Sequence, residues 1–259
     1  MKGISAFLTW QRVPAQGIEF KDLRTESLFF LRYAVFYVLL AILIGWLIVK
    51  MPLPILGAGE FVQDFWYAIV FKIFFLLLIP AIVYFRIWCY SAQDLLLGIN
   101  PTTWGWIKGA ALIVLGFLLN ARHLSGILDQ LPEFADANLR LALGIVLPFF
   151  IAGLPEELFF RGYLQTRLER LWNAPVAILA SAVLFTAWHL PSRYFLASGI
   201  EGNAGDLTSL LLGTGVPVFL VSLFFGWHWA RYRNLPLLIL VHWAIDILPS
   251  LSSFFQIKF

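Results

Sequence analysis

From Leu207 to Ala230 the chain runs for 24 residues without a single Asp, Glu, Lys or Arg. A helix of about 20 apolar residues is long enough to cross the hydrocarbon of a bilayer. Six further stretches read the same way: Leu28–Val49, Phe65–Trp88, Trp104–Leu119, Leu139–Phe160, Ala174–His189 and Leu235–Phe254. The third and fifth spans are short, which leaves room for one re-entrant or interfacial piece. Hydrophobic residues make up 61% of the 259 and charged ones 13%, where soluble domains average about 45–50% and about 25%. A soluble fold could not keep so much apolar surface from water, so lipid must cover it. The expectation is an all-α, polytopic transmembrane helical bundle with about seven to eight membrane-spanning helices.

No repeat, low-complexity run or linker divides the chain. Residues 1–26 form the one sizeable polar segment, read as cytoplasmic or interfacial, and 27–259 a single transmembrane domain. The basic residues are scattered singly between apolar spans, a pattern that orients helices and makes no phosphate-binding patch. Nucleic acid is therefore not an expected partner. With the N-terminus in the cytoplasm, that side holds Lys2, Arg12, Lys21, Arg24, Arg86, Lys108, Arg161, Arg167, Arg170, Arg231 and Arg233. The other side holds only Lys50, Arg122, Arg140, Arg193 and Lys258, so the count favours a cytoplasmic N-terminus. The lone cysteine, Cys89, excludes an internal disulfide and any cysteine-based metal cluster.

Ionisable side chains inside a bilayer are costly and mark function by default. Five stand out: Glu156, Glu157, His189, His242 and Asp246. Glu156 lies 16 residues before Trp172 and His189 lies 16 after Asn173, which puts both about 24 Å from the turn between their spans. Counted from Asn234, Asp246 is about 18 Å deep and His242 about 12 Å. Pro155 predicts a kink just before the two glutamates. Glu157 and Arg161 are spaced to pair on one helix face, leaving Glu156 turned toward a cavity; His242 and Asp246 are spaced likewise. A carboxylate and imidazoles at one level can activate water, stabilise an oxyanion or hold a metal. Serine and cysteine are missing from any nucleophile context, so direct attack by water is expected. Lys72 and Arg32 lie within spans, where they can snorkel or pair, and carry no assigned chemistry. His228 reads as part of an aromatic belt, His123 as a solvated loop residue, and most Trp and Phe as lipid-facing.

Glu156-Glu157-Leu-Phe-Phe-Arg161, Phe185-Thr-Ala-Trp-His189 and His242-Trp-Ala-Ile-Asp246 follow the patterns EExxxR, FxxxH and HxxxN/D. In this order they resemble the CPBP family (CAAX protease and bacteriocin-processing, or Abi) of intramembrane peptidases. The resemblance covers about 141–251, under half of the chain. It implies that Glu156 and His189 activate the attacking water, that His242 and Asp246 stabilise the oxyanion or complete the site, and that Glu157 with Arg161 holds its shape. It also implies an endopeptidase acting on a hydrophobic or membrane-anchored peptide or protein tail, in contact with lipid. Schemes class the family either as metalloproteases or as glutamate peptidases. A divalent metal such as Zn on Glu156, His189, His242 and Asp246 thus stays open beside a metal-free route. Asp246, where many members carry Asn, leans toward the metal. Short loops and a compact chain fit a prokaryotic inner membrane. The competing readings are a non-catalytic membrane scaffold or immunity protein and a proton-coupled transporter. A transporter favours an inverted repeat with broken helices in both halves, whereas the five residues above all lie in the second half.

Overall fold

A computed structural model describes residues 19–50, 67–95, 103–196, 203–255 and 257. The described residues are helical throughout, with no strand among them. We number the helices α1 (Leu23–Lys50), α2 (residues 67–87), α3 (Thr103–Leu119), α4 (Leu124–Gln130), α5 (Ala137–Leu171), α6 (Ala174–Leu196), α7 (Leu207–Tyr232) and α8 (Leu235–Phe254). In lipid each backbone N–H and C=O must find its partner inside its own segment, which is why these apolar runs coil. Val35, Phe36 and Leu39 of α1 and Leu212, Val216 and Leu220 of α7 lie exposed, a surface suited to hydrocarbon.

Five of the helices, α1, α5, α6, α7 and α8, are long and apolar enough to cross a membrane. α3 and its continuation Ala121–Glu133 add a sixth if the bent pair is one span. The described residues thus hold five or six such helices, and the expected seven to eight are not confirmed. The third run does not cross alone because Asn120 leaves helical geometry and gives its side-chain amide to the Ile245 carbonyl at 2.8 Å, and the chain turns 51° there. The second run, expected over Phe65–Trp88, is described only from Tyr67 onward and is not among the five. Other boundaries moved too. α5 continues past Phe160 to Leu171, and α6 carries on through Pro191 to Leu196, so His189 is not at a helix end. The N-terminal polar segment lies outside the described residues up to position 18.

α6 packs against α1 and α7, and α8 against α3 and α5. α8 sits innermost, with 56% of its apolar window buried against 22–39% for the other four. Glycines make that possible. A Cβ at Gly153 of α5 would stand 2.8 Å from the Ile239 carbonyl oxygen, and one at Gly144 would stand 2.5 Å from Leu251 Cδ2. Gly153→Ala is therefore expected to push α8 outward and cost about 1–3 kcal/mol. A thermal unfolding midpoint unchanged from wild type would contradict this close approach.

Many aromatic residues expected to face lipid form the core instead. Phe30, Phe71, Phe159, Phe160, Phe225, Trp188 and Trp229 are all buried. His123, expected in solvent, is buried as well. At one end of the bundle Arg167 pairs with Glu26 at 2.8 Å, inside a ring of Phe20, Phe30, Tyr84, Trp88 and Tyr90. The Tyr90 hydroxyl donates to Glu26 at 2.6 Å, and burial followed by that carboxylate pushes the phenol up to about 12. This brace ties the start of α1 to the ends of α2 and α5.

Candidate active site

The site is built where α5 departs from regular winding. Phe149–Gly153 and Leu158–Gln165 are π-helical and flank the short α-helical segment Leu154–Glu157. Pro155 has no N–H to give to Ile151, and the wider turns on either side accommodate it without a break. Glu156 and Glu157 sit between those turns, both fully buried.

Glu157 faces α7 and α8. Its Oε1 accepts from Arg161 Nη1 at 3.2 Å and from His242 Nδ1–H at 2.7 Å. Arg161 in turn donates to the Ser222 hydroxyl at 2.8 Å and carbonyl at 3.3 Å, and lies over the rings of Phe185 and Phe225. With Arg161 wholly buried, this layer closes the bundle beneath the carboxylates.

Glu156 faces three other groups. Its Oε1 is 2.7 Å from Lys72 Nζ of α2. Its Oε2 is 3.6 Å from His189 Nε2 and 3.7 Å from His242 Nε2. Those two separations exceed a direct hydrogen bond yet suit one bridging water. The His189 Nδ1–H donates to the Phe185 carbonyl at 2.7 Å, so the neutral ring presents an accepting Nε2 toward Glu156. Asp246 Oδ2 is 3.5 Å from His242 Nε2. Exposure rises toward Asp246: its side chain is 33% accessible, His189 19% and Lys72 16%, against 1% for Glu156. These three frame the mouth of the site.

The structure thus gathers Glu156, His189, His242 and Asp246, with Glu157 and Arg161 beneath them. Three details differ from expectation. Glu156 is paired, with Lys72. The imidazole of His242 is held at Nδ1 by Glu157, while Asp246 stands at Nε2. Finally, His242 is level with the glutamates and not half as deep. Leu235, the first residue of α8, packs opposite Gly162 of α5, well above the Trp172 turn. His242 is seven residues beyond Leu235 and Glu156 six before Gly162, which matches their depths in antiparallel helices.

The donors do not make a metal centre as they stand. One Glu156 oxygen is taken by an ammonium, and among the described residues no three His, Cys, Asp or Glu side chains are disposed to hold an ion.

A multi-pass bundle of helices long and apolar enough to cross a membrane, closed around buried acids and imidazoles, defines an integral membrane protein. Residues 138–248 match the family model described as type II CAAX prenyl endopeptidase Rce1-like. No curated protein matches the chain. No solved structure matches it either.

Proposed function

We propose that the protein is an intramembrane endopeptidase of CAAX-protease type that hydrolyses a peptide bond near the end of a hydrophobic or membrane-anchored tail. The observation that carries this reading is the placement of both imidazole Nε2 atoms within 3.6–3.7 Å of one buried carboxylate oxygen. A water between Glu156 Oε2 and His189 Nε2 can donate one hydrogen to each and keep a lone pair for the scissile carbonyl carbon. As the C–O bond forms, its proton passes to Glu156 and the carbonyl oxygen gains negative charge. His242, as imidazolium, would donate Nε2–H to that oxyanion while Glu157 holds the other ring nitrogen. Collapse of the adduct breaks the C–N bond, and Glu156 returns the proton to the departing amine. Asp246, at the mouth, orients His242 Nε2 from the accessible side. The N-terminus is placed in the cytoplasm, on the balance of basic residues, and the membrane is that of a prokaryotic cell.

Purified protein in detergent is expected to cleave synthetic peptides with hydrophobic tails, with or without a prenylated cysteine, as read by mass spectrometry of the fragments. His189→Ala should remove that activity while leaving the thermal unfolding midpoint within a few degrees; a wild-type protein that cleaves none of these peptides would sink the reading. Because an ammonium occupies one Glu156 oxygen, treatment with a zinc chelator is expected to leave the rate unchanged. A rate lost to chelation and regained with added zinc would bring the metal back.

A further inference from the structure

The segment matched to the family ends short of one charged group that touches its central carboxylate. Lys72 belongs to α2, outside residues 138–248. Its ammonium is 2.7 Å from Glu156 Oε1 and 5.1 Å from the ring centre of Trp188, the residue next to His189. A lysine on a membrane helix ordinarily extends its stem until the ammonium reaches water or headgroups. This one is only 16% accessible and turns inward, against a carboxylate and the face of an indole. The Trp188 ring is itself buried, so the ammonium has a fixed seat.

We infer that Lys72 is a positioning residue of the site, which holds one oxygen of Glu156 so that the other faces the two imidazoles, and whose charge offsets the carboxylate in an apolar surround. The inference rests on the reading of Glu156 as the base. The chemistry requires such a group. A buried carboxylate with too little opposite charge is costly to keep ionised; the Arg161 guanidinium is occupied by Glu157, and the His242 ring, 3.7 Å from the other Glu156 oxygen, is shared with Glu157 and Asp246. Fixing Oε1 also removes a freedom of the side chain. A displacement of about 1 Å in a catalytic group can cost roughly 10²-fold in rate.

Two measurements test this. In the first, Lys72→Met is expected to lower kcat roughly 10²-fold with KM changed less than about twofold, and Lys72→Arg to recover to within roughly tenfold of wild type. A Lys72→Met enzyme within about threefold of the wild-type kcat would overturn the inference, as would Lys72→Met and Lys72→Arg losing activity alike. The second needs no substrate: thermal midpoints of wild type, Lys72→Met, Glu156→Gln and the double variant form a cycle. Lys72→Met strands the carboxylate, so the neutral pair is expected to unfold at a higher temperature than Lys72→Met alone. If the two shifts simply add, or if the double variant fails to fold along with the single, the pair is not there and Lys72 is a packing residue. If the cycle shows coupling while no peptide is cleaved by wild type, the peptidase reading fails and the ion pair stands.

Discussion

Glu156→Gln is expected to lower kcat/KM at least about 10³-fold, since a positioned general acid–base contributes roughly 10²–10⁴ and this one handles the proton in both steps. The substitution keeps the size of the side chain and its reach toward His189 and His242. What disappears is the negative charge that draws the proton from water, together with the partner of Lys72. The comparison that matters is with Asp246→Asn, because Asp246 stands 3.5 Å from His242 Nε2 and is a third exposed. That variant is expected to retain more than a tenth of the wild-type rate. Rates should be read on protein whose thermal midpoint has been measured. A Glu156→Gln enzyme that stays folded and loses less than about tenfold would remove Glu156 from the role of base.

Arg161→Met is expected to cause the largest loss of stability. Breaking a buried ion pair by removing one partner costs about 3–5 kcal/mol, because the other charge is left uncompensated. For a chain of this size that corresponds to a fall of roughly 10 °C in the unfolding midpoint. Arg161 does more than pair: it donates to Ser222 of α7 and lies over Phe185 of α6 and Phe225 of α7. Methionine fills similar volume but leaves the Ser222 hydroxyl and Glu157 Oε1 short of a donor. Glu157→Gln in the same protein should return part of the loss, since a neutral amide is cheaper to bury than a carboxylate that keeps His242 but has lost its guanidinium. A midpoint within about 2 °C of wild type for Arg161→Met would mean the layer under the site is held by its aromatic residues alone.

The sequence made the helical class and the key acids and imidazoles legible through two simple signals. Length of apolar runs separates helices that can cross a bilayer, and charge inside such a run costs too much to be idle. Counting residues from a turn then put Glu156 and His189 at one depth. The same count marks Lys72, which stands sixteen residues before Trp88, the end of its own expected span. By sequence it reads only as a lysine that can snorkel or pair, because a single cation in an apolar run says nothing of where its stem points. His242 illustrates the converse failure. Its depth was counted from a turn taken to be level with the Trp172 turn, whereas α8 begins opposite Gly162, and no local pattern in residues 231–235 encodes that offset. The bend in the third run has a similarly distant cause. Asn120 ends α3 by reaching for a carbonyl of α8, a partner 125 positions away in the chain.

The layer of Arg161, Phe185 and Phe225 has a bearing on how the protein senses its surroundings. Beneath the glutamates the packing is tight, and among the described groups around Glu156 the accessible edges are those of Lys72, His189 and Asp246. Protons and water that exchange with the buried acids are therefore expected to pass by those three side chains and not through the packed layer.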